Sequence, residues 1–215
     1  SDDPYAWGHR VRDFHRDIKG TVSDGSRYHA LNPELFYWAH ATFVDQVLYI
    51  TDTFIRRLSY EEKVRIFEES KIWYQLYGVS ARSQPQTYDE FCEYWQSMCD
   101  KFVPTRTILY ATGYLRKGLP APRRIPAPLW RVLSAPLNAA LRTVIVGTLP
   151  PEMREVCDLD WTTAKQRRFD RFARVMRAVN PLVNRLPLRM LYVPWAYEGW
   201  ERTGVDPRKL HNRPA

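Results

Sequence analysis

The chain has 215 residues, of which 45% are hydrophobic and 14% are aromatic, and this composition excludes a disordered tail. That length and apolar content suit one sizeable core, so we expect a single domain over 1–215. The 32 Lys and Arg residues exceed the 24 Asp and Glu residues, which gives a net charge of +8. No run of five basic residues concentrates this charge, so the pattern favours a solvated surface over a specific nucleic-acid site.

Helix start and stop signals recur along the first half of the chain. Asn32-Pro33-Glu34 combines an N-cap residue, a proline in the first helical position and an acid in the first turn. Ser59 and Thr87 each begin a capping-box pattern, Gly78 is a typical helix end, and Pro104 interrupts a helix. These signals predict helices at about 5–20, 32–56, 59–78 and 87–104.

The second half of the chain carries the same helical patterns and no strand signal. Residues 119–128 are rich in proline and predict an extended connector, which we interpret as a loop wrapping one helical domain. Pro150-Pro151 breaks the helical pattern once more. Helices are predicted at about 105–117, 129–146, 162–179 and 188–202. The predicted fold class is therefore all-α, a single multi-helix domain with a proline-rich connector.

Cysteine usage and hydropathy indicate a cytoplasmic protein. Cys92, Cys99 and Cys157 are odd in number and lack CxxC spacing, so we expect small core residues in a reducing compartment. No apolar run approaches the roughly 18 residues that span a bilayer, and no signal peptide opens the chain. Residues 1–4 lead almost directly into the first helix, which indicates that an upstream segment is missing.

Two histidines lie within apolar stripes at helical spacing. A protein seldom turns two ionisable rings toward its core without giving each a partner. For His15, two interpretations remain open: a core histidine bonded to a backbone carbonyl, or a ligand to a metal or cofactor. The first stripe comprises Trp7, Val11, Phe14 and Ile18 around His15, and the second comprises Phe36, His40, Phe43 and Val47.

The motifs of multi-ligand metal sites are absent from the sequence. No His-x-x-Glu, Glu-x-x-His or His-Glu-x-x-His occurs, and Asp45 points away from His40 on an ideal helix. Nucleophile elbows, papain-like cysteines and phosphate-binding glycine loops are also absent. Haem needs one protein ligand and an apolar aromatic pocket, which the 8 Trp and 13 Tyr residues could supply.

Residues 10–42 resemble the signature block of one family, the MpaB-like and latex-clearing (rubber) oxygenases of actinobacteria and fungi. The resemblance is carried by Val11-Arg12-Asp13-Phe14-His15, Gly20, Asp24-Gly25, Tyr28, Ala30, Pro33-Glu34-Leu35 and Trp38-Ala39-His40-Ala41-Thr42. It continues more loosely through Leu58-Ser59, Leu76-Tyr77-Gly78-Val79, Pro85-Gln86-Thr87, 149–154 and Leu186-Pro187.

The resemblance implies an all-helical fold and, by analogy with the rubber oxygenases, a b-type haem that acts with O₂ on an apolar, lipid or isoprenoid-like substrate. It implies that His15 is the axial ligand of the haem iron and that His40 has a supporting role. Arg12, one turn before His15, would meet a haem propionate or an acidic partner. The family normally carries an upstream segment over the distal face, and this chain lacks it.

Two other functions stay open. A non-enzymatic module for lipid or another apolar ligand, with peripheral membrane contact, is motivated by the aromatic end of the chain. Nucleic-acid binding is the weakest alternative, because no nucleic-acid motif accompanies the basic helix, and we expect no specific nucleic-acid partner. No motif specifies the substrate, the redox partner or the oligomeric state. The aromatic end of the chain comprises Met190, Tyr192, Trp195, Tyr197 and Trp200, and the basic helix carries Arg167, Arg168, Arg171, Arg174 and Arg177.

Overall fold

The computed structural model describes residues 3–22, 25–113, 115, 118, 120–123 and 125–207. These residues fold mainly into helices, which confirms the all-α expectation. Within them the ten α-helices are α1 (Pro4–Phe14), α2 (Pro33–Ile50), α3 (Tyr60–Gln75), α4 (Tyr88–Cys99), α5 (Arg106–Ala111), α6 (Ala127–Thr148), α7 (Pro151–Val156), α8 (Thr163–Val183), α9 (Leu188–Leu191) and α10 (Pro194–Thr203).

Shorter elements complete this arrangement. A π-helix, Thr51–Ile55, continues α2, and a 3₁₀ helix spans Ala81–Ser83. Two strands, β1 (Lys19–Thr21) and β2 (Arg27–His29), pair in antiparallel register. None of the described helices is both long and apolar enough to cross a membrane.

The helix starts that the sequence predicts are observed with their caps. The side chain of Asn32 accepts a hydrogen bond from the Glu34 amide at 2.9 Å. Ser59 and Glu62 form the complete capping box, because each side chain accepts from the other residue's amide. At α4 the pattern is incomplete: Thr87 caps the Glu90 amide, but the Glu90 carboxylate accepts from the amide of residue 86, not from that of Thr87.

The first helix ends earlier than its sequence pattern predicts. α1 stops at Phe14, and the His15 amide donates to the Arg12 carbonyl at 2.9 Å to cap it. The chain then turns into the β1–β2 hairpin, in which Gly20 pairs with Tyr28. A Cβ atom at Gly20 would lie 2.9 Å from the Tyr28 ring, so the ring packs where glycine leaves room. Residues 23 and 24, between the two strands, lie outside the described residues.

α2 lies at the centre of the larger core cluster. Tyr37, Ala41 and Val44 on its inner face are almost completely buried, and α2 packs against α3 and the 3₁₀ helix. A second cluster forms around Val146 of α6. The π-helix packs against both α2 and α8, and its Phe54 ring lies 5.6 Å from the Phe169 ring of α8.

The apolar stripe around His15 faces outward, so the expectation that it packs into the core is wrong. Trp7, Val11, Phe14 and Ile18 are all exposed, Phe14 by 68%. The physical reason is that α1 packs through its small residue instead: Gly8 is buried against the end of α3 at Leu76. In the α2 stripe, Phe36 and His40 are buried, whereas Phe43 and Val47 are exposed.

Two of the three cysteines occupy the core as predicted. Cys99 and Cys157 are buried and unpaired. Cys92 is exposed, so its prediction as a core residue is wrong. Of the predicted helix 105–117, α5 covers Arg106–Ala111, and residues 114, 116 and 117 lie outside the described residues, as do residues 119 and 124 of the predicted connector.

Candidate functional site

An apolar cavity of about 260 Å³ opens between α1, the hairpin and the first half of α2. Its lining brings together two of the three residues that the sequence singles out, His15 and His40. Among the residues that the structure describes, none of the connector and none of the C-terminal helices lines this cavity. It is lined by Val11, His15, Tyr28, Ala30, Leu35, Phe36, Ala39, His40, Phe43 and Tyr77.

His15 is held by the backbone of its own helix. Its Nδ1 atom lies 2.8 Å from the carbonyl oxygen of Val11, one turn earlier. A carbonyl only accepts, so the ring proton is on Nδ1, and Nε2 keeps a lone pair with no hydrogen-bond donor among the described residues. The carbonyl bond and a ligand role are therefore compatible, because histidine ligands commonly use one nitrogen for each.

His40 lies in the aromatic wall of the same cavity. It is 2% exposed, and neither ring nitrogen has a hydrogen-bond partner among the described residues. Its ring centroid lies 4.7 Å from that of Trp73 and 5.1 Å from that of Tyr74, with Tyr37 and Tyr77 each at 6.0 Å. Buried polar atoms usually have partners. The two orphaned nitrogens of His40 therefore distinguish it from an ordinary core histidine.

Burial makes His40 a neutral group. Desolvation lowers the pKa of His40 to about 4, and a polar contact with the Ser70 backbone opposes part of this shift. That contact falls short of a formed hydrogen bond. At neutral pH the ring therefore offers one N–H donor and one lone pair without bringing charge into the apolar wall.

Two aromatic rings separate the histidines. The Phe36 centroid lies 5.6 Å from that of His15 and 5.3 Å from that of Tyr77, and the Tyr77 centroid lies 6.0 Å from that of His40. The imidazoles thus share one cavity across an aromatic spacer. Sequence reasoning did not assign Phe36, Tyr77 or Tyr28 to the site. The only sequence signal for Tyr28 and Tyr77 is their place in the segments that resemble the oxygenase family.

Arg12, the third residue that the sequence singles out, does not line the cavity. Its guanidinium contacts the Asp13 carboxylate at 2.9 Å, and it lies close to Gly78. The hydrogen bond from Arg12 lowers the pKa of Asp13, and Arg16 adds a second ion pair at 2.9 Å. The contact of Arg12 with a haem propionate stays a prediction.

The donor set suits a cofactor that takes one protein ligand. Among the described residues, no group of three or more His, Cys, Asp and Glu side chains could hold a metal ion. His15 provides one free imidazole nitrogen at an apolar, aromatic wall, which is the combination that haem requires. The cavity is slightly smaller than most small-molecule sites. A larger group therefore has to extend over the exposed rim at Leu35 and Phe43.

A second, more polar cavity of about 340 Å³ lies on the other side of α2. Its charged and amide side chains are Asp45, Asp52, Lys63 and Gln96, and Trp95 lines it as well. Burial raises the pKa of Asp45 to about 6. Asp45 thus faces away from the His40 cavity, as its position on α2 predicts.

Comparisons with known proteins identify a family and two relatives for this chain. A family model described as "ER-bound oxygenase mpaB/B′/Rubber oxygenase, catalytic domain" matches residues 1–178. The chain is similar to an uncharacterized protein of Mycobacterium bovis and to one of Mycobacterium tuberculosis, each 28% identical over 176 residues. Each match covers 79% of this chain but 63% of the relative, so the chain spans less than two thirds of these relatives. No solved structure matches.

Proposed function

Since the chain belongs to the family of the mpaB/B′ and rubber oxygenase catalytic domains, we propose that it is an oxidoreductase, a haem b-dependent oxygenase that uses O₂ on an apolar substrate. The substrate class is a lipid or an isoprenoid-like molecule. One observation carries the proposal: His15 reaches an apolar cavity with Nδ1 bonded to the Val11 carbonyl and with Nε2 free.

In this proposal His15 would hold the haem iron through Nε2. Its hydrogen bond to Val11 fixes the ring orientation and raises the basicity of Nε2, as second-shell acceptors do at histidine-bound metals. When bound, the haem iron supplies O₂ binding and oxygen transfer, which no side chain of this cavity can perform.

The aromatic and aliphatic walls have two proposed roles, to exclude water and to hold the substrate. Phe36 and Tyr77 form the inner wall, and Leu35 and Phe43 form an exposed rim. An apolar substrate gains free energy by leaving water for these surfaces, at about 25 cal/mol for each Å² buried. The open rim suits a chain-like molecule longer than the cavity, because its remainder can continue along the exposed part of α2.

His40 and Arg12 have supporting roles in this proposal. The neutral His40 ring holds its proton on one ring nitrogen and can donate it as a hydrogen bond to an oxygen atom within the cavity. Arg12 can meet a propionate only by exchanging its ion pair with Asp13. The Arg12 and Asp13 side chains are both partly exposed, and ion pairs between exposed groups are weak.

Absorbance spectroscopy of the full chain, produced with a haem precursor, tests the proposal. We expect a Soret band that is lost in His15→Ala and kept in His9→Ala, since His9 lies on the same helix but does not line the cavity. A Soret band of equal strength in His15→Ala would overturn the ligand assignment, and haem-free wild-type protein would overturn the haem proposal. Oxygen uptake with an isoprenoid such as squalene, and mass analysis of the product with labelled O₂, test the substrate class.

A second candidate function is a non-enzymatic module that binds a lipid or another apolar ligand. The observation that favours it is the almost entirely apolar lining of the same cavity. Organic extraction of the purified protein distinguishes the two functions. Co-purified lipid with no haem, and its loss when Ala39 at the cavity wall is replaced by Trp, would favour the binding module.

A further inference from the structure

α8 presents three different faces, and its inner face packs most closely on the protein. Phe169 and Ala173 are buried, and the Arg177 guanidinium donates to the Thr53 carbonyl. These residues follow one another at four-residue intervals, so they share the inner face of the helix. The other two faces of α8 point outward.

The second face is an exposed apolar stripe. Phe172, Val175, Val179 and Leu182 follow at intervals of three or four residues, and Met176 lies directly after Val175. At about 100° per residue, these side chains lie roughly a third of a turn from the inner face. Large exposed apolar surfaces usually mark an interaction site. The exposed residues of the stripe are Phe172, Val175, Met176, Val179 and Leu182, and Leu186, also exposed, follows the end of the helix.

The third face is basic, because Arg167, Arg171 and Arg174 lie on it, and the residues that follow α8 add further arginines. Residues 163–191 contain eight Lys and Arg residues against one acid, Asp170. Lys165 forms an ion pair with Asp160, and Arg177 is used on the inner face. The remaining six form no ion pair with any residue that the structure describes; they are Arg167, Arg168, Arg171, Arg174, Arg185 and Arg189.

We propose that this combined surface, the apolar stripe and the basic face of 163–191, binds the headgroup region of an anionic lipid bilayer. A helix with an exposed apolar stripe beside arginines lies in the membrane interface, with the stripe among the acyl chains and the guanidinium groups on phosphates. The stripe argues against a nucleic acid, which has no acyl layer to take up aliphatic side chains. The charge argues against a second copy of this chain, because two such faces repel each other.

The bilayer surface is separate from the histidine cavity. The Phe172 ring of α8 contacts Phe54 in the π-helix at 5.8 Å. Phe54 lies fourteen positions after His40, about 21 Å along the helix axis. Membrane binding therefore needs no haem, and its failure leaves the oxygenase proposal untouched.

Vesicle flotation of the full chain tests the proposal. The probes are vesicles of phosphatidylcholine alone and vesicles in which about a third of the lipid is phosphatidylglycerol. We expect binding to the anionic vesicles only. Arg171→Gln with Arg174→Gln should lower the partition coefficient about 30-fold, since each arginine near the surface contributes roughly five-fold. The matched control is Arg82→Gln with Arg106→Gln, which removes the same charge elsewhere.

A second pair of variants tests the apolar stripe. Leu182→Ser should lower binding to anionic vesicles about ten-fold. Val103→Ser, at a residue that is 61% exposed against 59% for Leu182, should leave it unchanged. Three results would each overturn the proposal. The first is equal binding to both vesicle types, and the second is an equal effect of a variant and its control. The third is arginine-dependent binding of a DNA duplex that Leu182→Ser does not alter. Circular dichroism of all four variants confirms that each is folded.

Discussion

The Nδ1 atom of His15 lies 2.8 Å from the carbonyl oxygen of Val11, which fixes the tautomer of the ring. The neutral imidazole should carry its proton on Nδ1 and leave Nε2 unprotonated. Long-range proton–nitrogen NMR correlations of the haem-free protein distinguish the two tautomers directly. The Nε2–H form at His15 would contradict this geometry and remove the free ligand nitrogen.

His29 provides an internal control with the opposite tautomer. The Leu31 amide donates to Nδ1 of His29 at 3.1 Å, and Nε2 of His29 lies 2.9 Å from the Arg16 carbonyl oxygen. His29 should therefore carry its proton on Nε2. One spectrum thus contains both expected patterns, and identical patterns for the two rings would contradict the prediction.

His40 should make the protein less stable at acid pH. Burial lowers the pKa of His40 to about 4 in the folded state, against about 6.5 in the unfolded chain. Between these values the unfolded state binds more protons, so the free energy of unfolding falls as the pH falls, by up to about 3 kcal/mol. Urea unfolding of the wild type and of His40→Leu from pH 7 to pH 4 should show a difference that grows across this window. A pH-independent difference would mean that His40 is not desolvated.

Asp45 should show the opposite pH dependence. Burial raises the pKa of Asp45 to about 6, so the folded state binds more protons between about pH 6 and pH 4. Its contribution to stability is present below that window and is lost as the pH rises through about 6. Relative to Asp45→Asn, the wild type should gain stability as the pH falls, by less than the His40 effect because Asp45 is partly exposed. A loss of stability instead would contradict the assignment.

Local signals in the sequence predict helix starts well and helix packing poorly. Asn32 and Ser59 cap their helices as predicted, because a cap depends on residues only two or three positions away. The outward direction of the Phe14 stripe was not predicted. It depends on Gly8 meeting Leu76, a contact between residues far apart in sequence.

The candidate site could be predicted only in part, because local sequence patterns identify single residues but not how distant residues pack together. His15 and His40 stand out by their apolar neighbours along the helix, and the structure places both on one cavity. The aromatic spacer was not predicted, because Tyr77 comes from the end of α3 and meets Phe36 only after α2 and α3 pack together. A short hairpin brings Tyr28 to the cavity, and three-residue strands carry too little periodicity to be recognised.

Arg154 should be sensitive to the conservative change to lysine. Its guanidinium donates to the Val146 carbonyl at 2.9 Å and to the Gly147 carbonyl at 3.0 Å, and it lies 4.6 Å above the Trp161 ring. A lysine ammonium cannot reproduce this planar fork, so Arg154→Lys should cost about 2 kcal/mol in the free energy of unfolding. Urea titration measures the loss. Arg82→Lys, at an exposed residue, is the control, and equal losses in the two variants would contradict the prediction.

Replacing Gly8 with alanine, which adds a single methyl group, should perturb the candidate site. A Cβ atom there would lie 2.0 Å from the Leu76 carbonyl oxygen, so Gly8→Ala has to move α1 away from the end of α3. Overpacking of this kind typically costs about 1–3 kcal/mol. Since α1 carries Val11 and leads into His15, the same shift should weaken the proposed Soret band.

The control is Gly199→Ala in α10, where the added methyl group meets no atom within 4 Å. This variant should instead stabilise the protein by up to about 1 kcal/mol, because alanine favours a helix over glycine. Urea midpoints of the two variants should thus move in opposite directions, and a stabilising Gly8→Ala would show that α1 does not pack on Leu76.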